Sequence, residues 1–490
     1  MMVKHSEHFV VVLLCLSLCW CTWGLKDESA DAESDIDAVP DTDLHIFDGD
    51  TFPDADDDPA EDVPADRPPD VAPDPDPSEP PPETEDLPPD DGADMAEDDI
   101  EADDMAAAEE AEEIIEDPEI EDMEAEELPE GWLAGWGKRV RITIDRRDVD
   151  ENLFHFPVLV LISDSSGNHS DDVTFVFDEL TADSDRLKIA VTRADGVTQC
   201  YVEIEKWDSA SSEAWLWVRV PGISSSENTE LYLYYDASRA DNSTFVGDTG
   251  ALPARRVWDE HYMGVWHLKE DPSAGDPQMR DSTGNVHHGT SHGDMTSDDL
   301  ADGRIDGALD FDNANDFVDV GDVGSDDWTA LTAEAWIYHR DQGDDRVVCK
   351  SPSTTPGDHI FAMGAVSGIL RVRIATDGDG AGVTDADSDA DVLGTDSWQH
   401  VAFSWDSADA TIRYYVDSVA EGTAARDGDT IADSSQAACI ANVNLSQNRY
   451  FNGLIDEVRI SKTPRSAAWI KATYESGRDH LVDFHAEETF

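Results

Sequence analysis

The sequence predicts an all-β protein: two tandem antiparallel β-sandwiches behind a long, acidic, disordered segment. Residues 131–247 and 258–485 each hold a series of short β-rich runs separated by turn clusters. Most of these runs alternate apolar and polar residues, so each would bury one face. Residues 25–130, by contrast, carry 46 Asp and Glu against Lys26 and Arg67, with no Trp or Tyr, in a chain of 490 residues whose formal net charge is -80. A segment so poor in apolar surface cannot offset the entropy of ordering, and its like charges extend it.

Residues 1–24 read as an export signal. Lys4 precedes a short apolar core, Phe9 to Cys21, and Thr22 and Gly24 supply small residues for cleavage. The core is too short for a membrane span, and no other stretch could cross a bilayer. Leu16-Ser17-Leu18-Cys19 loosely resembles a bacterial lipoprotein box and departs from it at Leu18, so a lipid anchor at Cys19 is a secondary expectation. The acidic stalk that follows supplies reach, with calcium buffering as the alternative, and its charge excludes nucleic acid as a partner. Its second half has better helix formers, interrupted by Pro118.

In 131–247 the expected strands are Arg139–Ile144, Phe156–Ile162, Val173–Phe177, Leu187–Thr192, Gln199–Glu205, Ala214–Val220 and Glu230–Tyr235. FPVLVLI (Phe156–Ile162) is apolar throughout and should be central. The order W-x-K-R-x-x-I-T-I, F-P-V-L-V, I-E-x-W-D, W-V-x-V-P, L-Y-L-Y-Y-D resembles an uncharacterised bacterial domain family that often precedes laminin-G-like domains. That resemblance implies nothing about activity.

In 258–485 the order is VWDEHYMGVWHL, the turn-rich RDSTGNVHHGT loop (Arg280–Thr290), and GALDF with FVDV around an Asx-rich turn. The strands LTAEAWIY, RVVCK, ILRVRI, WQHVAFSWD and TIRYYVD follow, and then YFNGLIDEVRI (Tyr450–Ile460). In this last strand Leu454, Val458 and Ile460 share one parity, and Ile455 breaks the alternation. The series resembles the laminin-G-like, concanavalin A-like jelly roll. HVAFSWDS (His400–Ser407) is also similar to the pentraxin signature but has Ala402 in place of its Cys. Ser466–Ser476 reads as an amphipathic helix capped by Ser466, packed on the sandwich by Trp469, Ile470 and Thr473.

The concanavalin A-like fold also carries glucanases with paired carboxylates on one strand face. The nearest text is Val202-Glu203-Ile204-Glu205, in the other domain and without the third acid, while Asp456 and Glu457 are adjacent and should point to opposite faces. No G-x-S-x-G elbow, H-E-x-x-H helix or phosphate loop occurs, so no catalytic residue is assigned.

The resemblance implies calcium at the sheet rim, with Asp281, Asn285 and Asp456 at the matching positions; the alternative is that Asp281 and Asn285 make the turn and Asp456 ends a strand. The Ala375–Asp391 loop, with Asp377, Asp379 and Asp385, reads as a solvated acidic hairpin. His287, His288 and His292 lack a neighbouring Cys and fall where the family has H-G-T, which argues against zinc. Of the Trp residues, Trp328 is the one whose turn-like setting would expose it to a sugar.

Export permits a disulfide, with Cys349 and Cys439 as the pair and Cys200 free; the alternative is three small buried residues. Together these readings describe an exported bacterial protein, secreted or on the cell surface. It would be non-catalytic and would recognise a glycan or a surface protein through jelly-roll loops. A structural spacer of the envelope is the second reading, and a polysaccharide-active enzyme the third.

Overall fold

The structure, a computed structural model, describes residues 131–325, 327–377, 385–432 and 434–490. The expected signal, the acidic stalk, Cys19 and Asp379 lie outside the described residues. Almost all pairing among the described residues is antiparallel, and their longest helix is Ala467–Gly477. None of their helices is long and apolar enough to cross a membrane.

The first sandwich has one sheet in the order Asp483–Thr489, Lys138–Ile144, Thr229–Tyr235, Ile189–Arg193. The other runs Leu153–Ile162, Glu213–Ile223, Val202–Asp208, Val246–Asp248. Alternation places Val140, Ile142, Val158, Val160, Val202 and Val218 in one core.

Two expectations fail here. Val173–Phe177 is not a strand, because Phe175–Glu179 is a short helix. The buried residues Val173, Val176, Phe177 and Leu180 recur at the helical spacing i, i+3, i+4, i+7, which the run's Val and Phe content concealed. FPVLVLI, in turn, is the edge strand of its sheet. It is apolar throughout because the helix Ala467–Gly477 covers its free edge: Leu159 N–H donates to Ser476 Oγ at 2.8 Å, and Trp469 meets Phe156 edge-on at 4.8 Å.

The second sandwich packs an eight-stranded sheet on a seven-stranded one. Asn452–Ser461 lies inside the eight-stranded sheet, paired with Gly307–Asp312 and Tyr262–Trp266 along one edge and with Ala330–His339 along the other. At Glu457, whose φ is 54°, the strand carries one residue more than its Ala330–His339 partner. The bulge explains the broken alternation: Ile455 joins Val458 and Ile460 in the core, while Leu454 is only half-buried.

Phe361–Val366, a fully buried run without alternation, is a strand that periodicity does not reveal. Trp328 is buried in this core rather than exposed. Cys200, Cys349 and Cys439 are buried thiols, and Cys349 stands directly opposite Cys439 on neighbouring strands.

The chain end returns to the first sandwich. Tyr474 of the terminal helix stacks on Trp336 of the second sandwich at 5.5 Å, while Trp469 of the same helix holds Phe156 of the first. Asp483–Thr489 then pairs with Lys138–Ile144. Between them Asp479, at φ 58°, accepts from Gly167 N–H at 2.7 Å, and burial pushes its carboxyl up to about 7 from 3.8. Between about pH 4 and 7 the folded chain therefore holds a proton that the unfolded chain has lost, and stability falls as pH rises through that window. Asp479→Asn tolerates the left-handed backbone and carries no charge. It is expected to melt a few degrees above the parent at pH 8, a gain on the order of 1 kcal/mol, and level with it near pH 4. A lower melting temperature at pH 8 would refute this.

Candidate functional site

Among the described residues, two places concentrate chemistry. The first is the seam where the outer face of the first sandwich meets the outer face of the eight-stranded sheet. Alternation along Val202–Asp208 turns Val202 and Ile204 into the core and Glu203 and Glu205 out to the seam. There they meet His267, just past the Tyr262–Trp266 strand, and Glu457 and Arg459 of Asn452–Ser461.

His267 Nδ1 lies 2.5 Å from Glu457 Oε1 and 3.4 Å from Glu205 Oε2, and its Nε2 is 3.3 Å from Glu203 Oε1. Trp258 Nε1 and Ser282 Oγ donate to Glu203, Trp217 Nε1 to Glu205, and Arg459 to Glu457. None of these four carboxylate and imidazole groups is more than 5% exposed. Burial opposes charge on His267, yet Glu205, Glu457 and Glu203 raise it well above the usual imidazole value. Burial pushes Glu205 up to about 7, against the pull of His267 and with the push of Glu457. His400, from the pentraxin-like run, also lies in the seam, and burial with Arg459 pushes it down to about 3.

Sequence reasoning separated these groups. The structure adds Glu457 to the Glu203–Glu205 pair as a third acid, and the signal was available in the D-E-x-R of the last jelly-roll strand. Asp456 and Glu457 do not point to opposite faces, because the bulge turns both into the buried seam. Asp456 Oδ2 accepts from Ile305 N–H at 2.8 Å, and burial with Glu457 beside it raises its carboxyl well above the ordinary value.

Asp281 uses its oxygens on Val265 N–H, Thr283 N–H, Thr283 Oγ1 and His287 N–H, and Asn285 donates to the carbonyls of Tyr262 and Met263. Asp281 and Asn285 therefore staple their loop to the Tyr262–Trp266 strand, while Asp456 bonds elsewhere. The structure brings Asp281 and Asn285 together on one loop and gives Asp456 a separate partner, Ile305. His288 Nδ1 accepts from Asp281 N–H, His292 stacks on Phe317, and Asp385 pairs with Arg371 and Arg373.

The second place is a cleft of about 410 Å³ at the jelly-roll rim, lined by Asn313, Ala314, Gly343, Asp344, Asp345, Asn448, Arg449 and Tyr450. Arg449 Nε donates to Asp344 at 3.2 Å. Tyr450 continues a row of stacked rings, lying 6.3 Å from Phe317, which lies 4.7 Å from His292. Beneath the cleft His339 Nε2 meets Asp345 at 2.8 Å, and Asp341 accepts from Gly343 N–H and Asn452 Nδ2. The cleft's residues come from three turns that follow or precede core strands, so no single motif announced them.

A laminin-G-like family model, described as the concanavalin A-like lectin/glucanases superfamily, matches residues 312–471. A second, a domain of unknown function (DUF2341), matches 185–251. No curated protein matches the chain. Among solved structures, domain 4 of the extracellular arabinanase AbnA of Geobacillus stearothermophilus, in complex with arabinotriose, is 18% identical with a TM-score of 0.33 over 43% of this chain and 96% of that one. The sialidase CBM40 of Ruminococcus gnavus bound to sialyllactose is 11% identical with a TM-score of 0.27, over 30% and 83% of the two chains. The binding domain of Paraclostridial Mosquitocidal Protein 1 is 13% identical at 0.34, over 44% of this chain and about half, 52%, of that one. The chain thus carries a domain of the uncharacterised family followed by a concanavalin A-like domain, in the order its motifs predict.

Proposed function

We propose that this is an exported, non-catalytic binding protein whose concanavalin A-like domain recognises a glycan in the rim cleft. The observation that carries the reading is the lining of that cleft: one half-buried aromatic ring, Tyr450, beside the amides of Asn313 and Asn448 and the Asp344–Arg449 pair. A sugar offers an apolar ring face and a fringe of hydroxyls, which such a mixture of ring, amides and charges can receive. The acidic carboxylates of the seam, by contrast, are too enclosed to reach a polysaccharide.

The test is a glycan array probed with the full chain, in calcium and again in chelator. Binding is expected, and Tyr450→Ala should weaken it at least about ten-fold, 1.4 kcal/mol, without lowering the melting temperature by more than a few degrees. Equal binding by the variant would reject the cleft. No binding in either buffer would reject the glycan and favour an envelope spacer. Loss in chelator alone would tie the ligand to calcium.

Export has its own readout. Directly opposed residues on antiparallel strands lie within the Cα separation a disulfide needs, so chain recovered from an oxidising compartment should carry a Cys349–Cys439 bridge. Its intact mass under denaturing, non-reducing conditions should be lower by two hydrogens, with Cys200 the one thiol of residues 131–490 open to alkylation. Alkylation of Cys349 and Cys439 would contradict the bridge.

A further inference from the structure

We propose that Glu205, His267 and Glu457 form a site for one divalent transition-metal ion of the zinc or manganese class, which clamps the two sandwiches together. One imidazole nitrogen and two carboxylates are donors of the kind such ions take. Their ligand atoms lie within 4.8 Å of one another, on three segments drawn from both sandwiches. Glu205 Oε1 is buried and accepts no hydrogen bond, so the site holds an acceptor that the protein itself leaves unserved.

The surroundings are those a metal-bound imidazole requires. With the ion on Nδ1, the proton of His267 sits on Nε2 and is donated to Glu203 Oε1, 3.3 Å away. Glu203 is itself fixed by Trp258 Nε1 at 2.7 Å and Ser282 Oγ at 2.7 Å. This carboxylate–histidine relay orients the ring and raises its basicity. Trp217 and Arg459 hold the two ligand carboxylates from behind, at 2.6 and 2.5 Å. Binding exchanges the His267–Glu457 hydrogen bond for two bonds to the ion, and the Nδ1 proton leaves to solvent.

Charge points the same way. Among the described residues, Glu203, Glu205, Glu334, Asp456 and Glu457 share this seam with Arg459, which meets Glu457 and Glu334, with Lys269 beside Glu205, and with Arg465, which pairs with Asp259 and also acts on Glu334. Carboxyl groups outnumber fixed cations in this buried seam. A divalent ion offsets two of those negative charges with His267 neutral, whereas a proton on His267 offsets one. Access exists, since Glu205 and Lys269 also line a cleft of about 350 Å³ that opens beside the seam.

The experiment uses the full chain, untagged and purified without chelator from medium containing zinc and manganese, with metal measured by inductively coupled plasma mass spectrometry. The acidic stalk is common to every variant, so differences between variants report the folded region. About one ion per chain is expected after dialysis. Chelator should remove it and lower the melting temperature, and re-addition of zinc or manganese should restore it.

Glu205→Gln keeps the bond from Trp217 and should reduce bound metal at least about ten-fold, with a melting temperature that chelator no longer moves. Asp341→Asn, which alters the separate His339–Asp341–Asp345 group, should leave the ion in place. Wild-type chain without stoichiometric metal, and with no response to zinc or manganese, would overturn the proposal. So would loss of metal in Asp341→Asn with retention in Glu205→Gln.

Discussion

Removing residues 481–490 is expected to unfold the first sandwich although the deletion lies more than two hundred residues from its last internal strand, Val246–Asp248. The deleted strand pairs with Lys138–Ile144 from Lys138 opposite Thr489 to Thr143 opposite Asp483. Without it Lys138–Ile144 becomes an edge, and Leu481, Val482 and Phe484, none more than 6% exposed, leave the core. At about 1.5–3 kcal/mol for each buried side chain, the loss is roughly 4.5–9 kcal/mol, comparable with the whole stability of an ordinary domain, about 5–15 kcal/mol. Thermal melts followed by tryptophan fluorescence should show the truncated chain melting at least about 10 °C below the parent, or already unfolded. A fragment that stops at residue 257 should fare worse, lacking also Trp469 against Phe156. A truncated chain that melts within two or three degrees of the parent would show that the closing strand is dispensable.

That contact illustrates which parts of the molecule can be read from sequence. Alternation and turn spacing disclose sheet strands wherever one face is buried and the other wet, as in Lys138–Ile144 or Thr411–Val416. They fail where both faces are covered. Phe361–Val366 and FPVLVLI look alike, yet one is an interior strand and the other an edge sheltered by a helix.

Long-range partnership is hidden as well. Nothing local in DFHAEET says that it will pair with a strand more than three hundred residues earlier. The site shows the same division. Glu203, Glu205, Asp456 and Glu457 stand out in the sequence as acids on strands. That they converge depends on a bulge one residue long, and on two outer sheet faces that are buried only because the sandwiches dock. The rim cleft was legible only as a family of loops, because its lining is assembled from turns distant in the chain.

The docked seam also sets the second large effect, expected for Arg459→Met. The Arg459 guanidinium lies 2.5 Å from Glu457 and 3.7 Å from Glu334, 4.5 Å from the centre of the Trp217 ring and 5.1 Å from that of Trp258. Methionine keeps much of the packing and none of the charge. Two buried carboxylates then lose their shared cation, and removal of one partner from such a buried group costs about 3–5 kcal/mol, on the order of 10 °C for a chain of this size.

The pH dependence separates lost charge from lost packing. In the parent, burial opposes ionisation of Glu457, but His267 and Arg459 hold its carboxyl below the ordinary value, so its share of stability is present above the unfolded pKa and fades as pH falls. Glu334 is raised by burial even with Arg459 present. In the variant both carboxyls titrate higher than in the parent, since each loses the pull of Arg459. The folded variant then takes up protons before the folded parent on acidification, and the deficit relative to the parent should shrink between pH 7 and pH 5. A packing defect would leave that deficit constant. Arg459→Met combined with Glu457→Gln should recover part of the loss, because two members of one network are not additive. Equal losses in the single and double variants would mean that Arg459 acts through its stacking on Trp217 and Trp258, and that the seam is held by aromatic packing rather than by its charges.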